Sequence, residues 1–114
     1  MARIPRATYR VQLNAGFTFR DATAIVPYLA ALGVSHVYCS PYLQAAPGST
    51  HGYNVVDHRH LNAELGGDEA FARMAAALAA HGLSQVVDIV PNHMSTTAFG
   101  PAAGPGRRGN AWWW

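Results

Sequence analysis

Two stretches of this chain combine residue types that can do chemistry. Asp88-Ile89-Val90-Pro91-Asn92-His93 ends an apolar run with a carboxylate and then delivers an amide and an imidazole. A carboxylate in apolar surroundings is costly unless a cation or several donors meet it, so Asp88 calls for a partner. Two readings are open at this point: a structural Asp followed by a turn-forming Asn and a solvated His, or a site. The second stretch is Gly48-Ser49-Thr50-His51-Gly52-Tyr53-Asn54-Val55-Val56-Asp57-His58. Its glycines let the backbone bend while His51 and Tyr53 turn an aromatic face and polar tips toward a ligand, an arrangement suited to holding a sugar. A loop whose Tyr and Val simply pack on a rim is the alternative.

The other titratable residues narrow the chemistry. His58 and His60 have the HxH spacing of some metal-dependent hydrolases, but they fall in a loop away from a strand end, and the single Cys39 adds no thiolate cluster. Metal ligation by the pair is disfavoured, and no metal and no cofactor is expected. His36 and His81 read as structural. Asp21, Asp68 and Glu69 fit helix starts, where the dipole favours them; Glu64 has no assigned place. Asp57 and Asp88 remain as candidates for a paired-carboxylate glycosidase.

The elements that must position these residues follow from periodicity. Thr8 to Leu13 alternates as a strand, with Tyr9, Val11 and Leu13 on one side and Thr8, Arg10 and Gln12 on the other. Thr18 and Asp21 resemble a capping box ahead of Ala22, Ile25, Val26, Leu29 and Leu32 at helical spacing, closed by Gly33; Pro27 predicts a kink or a late start. Val34 to Ser40 reads as a second strand, buried on both faces. Asp68 is placed as the cap of a second helix that carries Phe71, Met74, Ala75 and Leu78 on one face and stops at Gly82. Leu83 to Val90 reads as a third strand. Strands alternating with helices make parallel βαβ units, either in a doubly wound sheet or in an eight-stranded barrel. No GxGxxG or P-loop pattern follows a strand, which disfavours the nucleotide-binding sheet. The 26-residue connection from Tyr42 to Gly67 suits the functional face of a barrel.

The 114 residues suffice for one small domain or part of one, and a half-hydrophobic composition with 12% charged residues demands a buried core. Eight Arg against six acidic residues give a formal charge of +2, and the Arg are scattered, so nucleic acid is not suggested. No stretch is long enough to span a membrane, and one cysteine with no apolar leader points to the cytoplasm. Three strands cannot close a barrel, and the sequence stops at Trp112, Trp113 and Trp114 after a Gly, Pro and Arg stretch. The expectation is therefore a truncated N-terminal piece. Residues 1–97 would be part of a catalytic (β/α)8 barrel, its strands one to three, and 98–114 would be an irregular Gly/Pro/Trp-rich segment.

The run Asp88 to His93 resembles the first conserved region of the α-amylase superfamily, found at the end of barrel strand three. TYRVQLNAGFTF (Thr8 to Phe19), VPYLAALGVSHVYCSPYLQAAPGSTHGYNVVDH (Val26 to His58), NAELGG (Asn62 to Gly67) and VVDIVPNHM (Val86 to Met94) are similar to the start of its maltooligosyl trehalose synthase branch. Asn54 departs from that pattern, which has Asp. The resemblance implies that Tyr53 is the platform under the sugar at the cleavage point, that His51 lies with it in the substrate-binding loop, and that His93 hydrogen-bonds that sugar's primary hydroxyl. Asp88 would pair with an arginine beside the nucleophile, and Asn92 would order the loops. With Asp57 these form a supporting set. The nucleophile, the acid/base Glu and a second Asp belong to strands four, five and seven, so Asp57 and Asp88 are not the catalytic pair and no catalytic residue falls in this chain. The implied activity is isomerisation of the reducing-end α-1,4 linkage of a maltooligosaccharide to α,α-1,1. Rival readings are another hydrolase or glucan transferase of the superfamily, an inactive truncated remnant, and, more distantly, a metal-dependent hydrolase.

Overall fold

The computed structural model describes residues 3–96. Strand β1 (Thr8–Val11) leads into helix α1 (Phe19–Leu32) and strand β2 (His36–Cys39). Strands β3 (Leu43–Ala45) and β4 (Val55–Leu61) follow, then a 3-10 turn (Ala63–Leu65), helix α2 (Gly67–Ala80) and strand β5 (Ser84–Val87). β1, β2 and β5 form one parallel sheet in that order, with Thr8, His36 and Ser84 level with one another and Arg10, Tyr38 and Val86 level two residues on.

The alternation along these strands divides the sheet into two unlike faces. Val11, Leu13, Val37, Cys39 and Leu83 point into a core shared with Phe19, Ala22, Val26 and Leu29 of α1 and Met74 and Leu78 of α2. Phe19, Tyr42 and Phe71 meet as an edge-packed aromatic trio, with ring centroids 5.2–5.5 Å apart. The opposite face carries Arg10 and Tyr38 side by side. The described residues thus form the expected α/β arrangement, three parallel strands with two helices on one face.

The strands pair over fewer residues than their apolar runs. β1 stops at Val11 because Leu13 N–H turns to the Ser40 hydroxyl at 2.7 Å, leaving the ladder. β2 begins at His36 because the amides of Arg6 and Ala7 bond the Ser35 side chain. β5 begins at Ser84 because Leu83 N–H caps α2 through Leu78 O, at 2.9 Å. Asp88 therefore lies just past β5 at its C-terminal end, outside the strand that was expected to contain it.

Helix α1 starts at Phe19, ahead of Pro27, so a late start does not occur. Asp21 accepts from Thr18 N–H at 2.8 Å and from its hydroxyl at 3.0 Å, which secures that start. Asp68 does not cap α2. Gly66 does, at φ 116°, because it also ends the preceding 3-10 turn, and a non-glycine residue is strained in that conformation; Asp68 and Glu69 occupy the first turn.

The long connection is not a loop throughout. Its ends form an antiparallel hairpin, β3 with β4, whose register shifts on both sides of Gln44 erase the period-two signal in the sequence. His58 and His60 consequently lie on a strand and not in a loop.

Candidate functional site

The segment between the hairpin strands folds back over the C-terminal ends of the parallel strands. Gln12 Nε2 donates to Thr50 O at 2.7 Å and Asn14 Nδ2 to the same carbonyl at 3.4 Å, which pins the loop to the end of β1. Inside the loop the Asn54 side-chain Oδ1 accepts from the Ser49 hydroxyl, and Ser49 Oγ accepts from Gly52 N–H at 3.0 Å. Asn54 needs only an acceptor there, which an Asp would also supply. Glu64 holds the loop's far corner by accepting from Gly48 N–H at 3.0 Å. Gly52 has φ 82°, and a Cβ on it would stand 3.0 Å from Pro41 O. A side chain at this position would displace the backbone between His51 and Tyr53.

Asp88 finds its partners within the chain. Its Oδ2 accepts from Tyr53 Oη at 2.5 Å, Arg10 Nη1 at 3.2 Å and Tyr38 Oη at 3.2 Å. Arg10 also donates through Nη2 to Tyr53 Oη at 2.8 Å and through Nη1 to Cys39 O at 3.3 Å, and its guanidinium lies 4.4 Å from the Tyr38 ring centre. Burial by itself would raise the Asp88 pKa, but the hydrogen bonds from Tyr53, Arg10 and Tyr38 outweigh it and hold the carboxyl below the usual range. The bond to Asp88 pushes the Tyr53 phenol up, and Arg10 is raised because its bonds to Tyr53 and Asp88 exceed the cost of desolvation. The resting state is thus guanidinium, neutral phenol and carboxylate. Oδ1 of Asp88 accepts from none of the described residues.

His51 and His93 bond the backbone of Tyr53 on either side of its Cα. His93 Nε2 lies 3.1 Å from Tyr53 O. A carbonyl only accepts, so Nε2 carries a proton, and in the neutral imidazole Nδ1 is the acceptor. His51 Nδ1 accepts from Tyr53 N–H at 3.0 Å, which puts the ring's remaining hydrogen on Nε2 as a donor; the His51 and Tyr53 rings stack within 20° of parallel at 6.0 Å. Tyr53 is 36% exposed, and beside it lie the His51 Nε2 donor and the His93 imidazole. That pattern suits a hydroxyl-rich ring.

Asp57 belongs to a different network. Buried on β4, it accepts from Arg59 N–H at 2.9 Å, Arg59 Nε at 3.2 Å and His60 Nδ1 at 2.8 Å. Burial raises its pKa, while those bonds and the Arg59 charge lower it by more. Its oxygens are occupied by these groups and it shares no partner with Asp88. His58 Nε2 donates to Val90 O at 3.0 Å and Ser95 N–H to Val55 O at 2.7 Å, so β4 braces the segment that carries His93. Asn92 is exposed on that segment and bonds none of the described residues. His36 is buried against Ser35, and His81 Nδ1 donates to Ala77 O at the end of α2. Cys39 is buried, which pushes its thiol up and away from nucleophilic use.

Arg10 and Tyr38 are the members that sequence reasoning missed. The usable signal was parity: Arg10 and Gln12 fall on the strand face opposite Val11 and Leu13, the face onto which Asp88 projects.

Comparison with known proteins bears on this geometry. Residues 18–101 match the family model described as alpha amylase, catalytic domain. A Mycobacterium tuberculosis protein provisionally named a maltooligosyl trehalose synthase is 46% identical over 95% of this chain. The solved maltooligosyltrehalose synthase of Arthrobacter ramosus superposes with a TM-score of 0.77 at 50% identity, covering 79% of this chain and 12% of that one. A structure titled as a hypothetical maltooligosyl trehalose synthase of Sulfolobus tokodaii does so with a TM-score of 0.77 at 44% identity, covering 82% of this chain and 13% of that one. The chain spans about 14% of the length of the Mycobacterium relative.

Proposed function

This chain belongs to the α-amylase catalytic-domain family, and on that premise we propose that it forms barrel strands one to three of a maltooligosyl trehalose synthase, with residues 1–97 in the barrel and 98–114 an irregular segment outside the described residues. The enzyme's substrate is a maltooligosaccharide, whose reducing-end α-1,4 linkage it converts to α,α-1,1. The observation that carries the reading is Tyr53 at the C-terminal ends of the strands, where barrel enzymes place their sites, its hydroxyl held by Arg10 and Asp88, its ring stacked with His51 and its carbonyl bonded by His93.

In this reading Tyr53 lies under the sugar whose linkage breaks. His93 accepts from that sugar's primary hydroxyl through Nδ1, and His51 donates to a neighbouring hydroxyl through Nε2. The vacant Oδ1 of Asp88 faces an arginine contributed by the strand that carries the nucleophile. Asp57 keeps β4 rigid beneath the site, and Asn92 orders the loops at its mouth. The nucleophile and acid/base come from strands four and five of the whole enzyme, so the residues described here bind and orient. A retaining route fits: a carboxylate forms a glycosyl intermediate, and the released glucose, not water, attacks it. Exclusion of water separates the isomerase from a hydrolase.

We place the enzyme in the cytoplasm, consistent with a lone buried thiol, and without nucleic-acid or membrane partners. Among the described residues no helix is long and apolar enough to cross a membrane. The deciding experiment incubates the full-length enzyme with maltopentaose. Reducing ends should disappear with little glucose released; a rise in reducing ends would instead identify a hydrolase, and redistribution of chain lengths a glucan transferase.

A further inference from the structure

Tyr53 sits in a glycine-flanked loop, and a loop alone does not fix the tilt of an aromatic ring to the fraction of an ångström that a stacking platform needs. The constraint acts at the far end of the ring. Its hydroxyl is gripped on two sides, receiving a hydrogen bond from Arg10 Nη2 and donating one to Asp88 Oδ2. Arg10 is well placed to anchor the grip because it stands on β1, a regular element, and is itself fixed by the Cys39 carbonyl and the Tyr38 ring. The guanidinium spans Tyr53 and Asp88 with two separate nitrogens. A lysine, a single point donor on a flexible stem, cannot reproduce that fork.

We propose that Arg10 is a positioning residue of the glucan site, setting the Tyr53 platform through the phenol oxygen and thereby governing turnover, without touching substrate itself. The proposal rests on the reading that Tyr53 stacks under the sugar ring. A platform that tilts or withdraws still admits substrate but loses contact with the flattened ring of the transition state, so its loss lowers kcat more than it raises KM. Arg10 and Tyr53 then act as one unit. Their effects must be coupled, because once the phenol oxygen is gone Arg10 has nothing left to hold on the ring.

The test is a double-mutant cycle in the full-length enzyme assayed on maltopentaose, following both reducing ends and glucose, with thermal unfolding of each variant alongside. Arg10→Ala and Tyr53→Phe should each lower kcat by about 10- to 100-fold with little change in KM, while the double variant is within about threefold of the worse single one. Should Arg10→Ala fail to fold, Arg10→Lys replaces it in the cycle and should lose activity similarly. Multiplicative losses, or a loss confined to KM or to the unfolding temperature, would overturn the positioning role. A wild-type enzyme that hydrolyses maltopentaose refutes the isomerase reading yet leaves the coupling measurable, and one that turns over no glucan refutes both.

Discussion

At the level of single residues, the hydroxyl and the ring of Tyr53 do different work. Tyr53→Ala removes both and His93→Ala removes the imidazole, so on the proposed roles each should lower turnover of maltopentaose in the full-length enzyme by two orders of magnitude or more, roughly the cost of a misplaced binding group. Near-normal rates would contradict the roles given to them. The carboxylates make a second prediction, about pH. Asp88 and Asp57 both have depressed folded-state pKa values relative to 3.8. A depressed carboxylate stabilises the fold above its unfolded value, and that contribution is lost as pH falls through the folded value. The urea midpoint should therefore hold steady near neutrality and drop below about pH 4, and Asp88→Asn and Asp57→Asn should each shallow the drop; an unchanged acid limb in both variants would rule these groups out as its source. The need of Asp88 for a partner was legible in the sequence, because an acid at the end of an apolar run demands one. Its actual partners were not, because Arg10 and Tyr38 are 78 and 50 residues away in the chain and only the strand register, which sets them level with Val86, brings them near it.

Two glycines govern the elements that carry these residues. Gly66 joins the 3-10 turn to α2 at φ 116°, and a Cβ there would meet Ala70 Cβ at 2.6 Å. Gly66→Ala combines left-handed strain with a clash and should cost about 2 kcal/mol or more, read as a lowered urea midpoint. Gly52→Ala also forces a left-handed backbone, but in the loop that carries Tyr53, so on the proposed reading it should damage kcat out of proportion to stability; equal losses in both would show the loop to be merely structural. Helices were the elements best read from sequence, since the Thr18–Asp21 box and the apolar spacing of α1 are local signals. The hairpin escaped notice for the converse reason. Its pairing depends on register shifts that no local pattern announces. Strand ends were overextended because an apolar run marks burial, whereas the ladder ends where side chains such as Ser35 and Ser40 take over the backbone bonds.

For the molecule as a whole, the two faces of the sheet have opposite requirements. Helices bury one face. The other presents Arg10, Tyr38 and Asp88, which is unusual for parallel strands, since these are ordinarily covered on both sides. Within a closed barrel that face becomes the interior, where a charged and aromatic cluster can serve a site without being dissolved by bulk water. The outer edge of β5 has no pairing strand among the described residues, and near it Val87 is 56% exposed and Ile89 65%. An unpaired edge with apolar residues beside it invites pairing with other chains. A polypeptide limited to these 114 residues should thus self-associate, bind a hydrophobic dye, and convert no maltopentaose, because on the proposed reading its residues orient the sugar while the nucleophile belongs to strand four. Light scattering and the reducing-end assay on the purified polypeptide check this together. A monodisperse monomer would show that the sheet edge is satisfied some other way, and measurable turnover would show that a reactive carboxylate lies within this segment after all, with Asp88 the first to be tested.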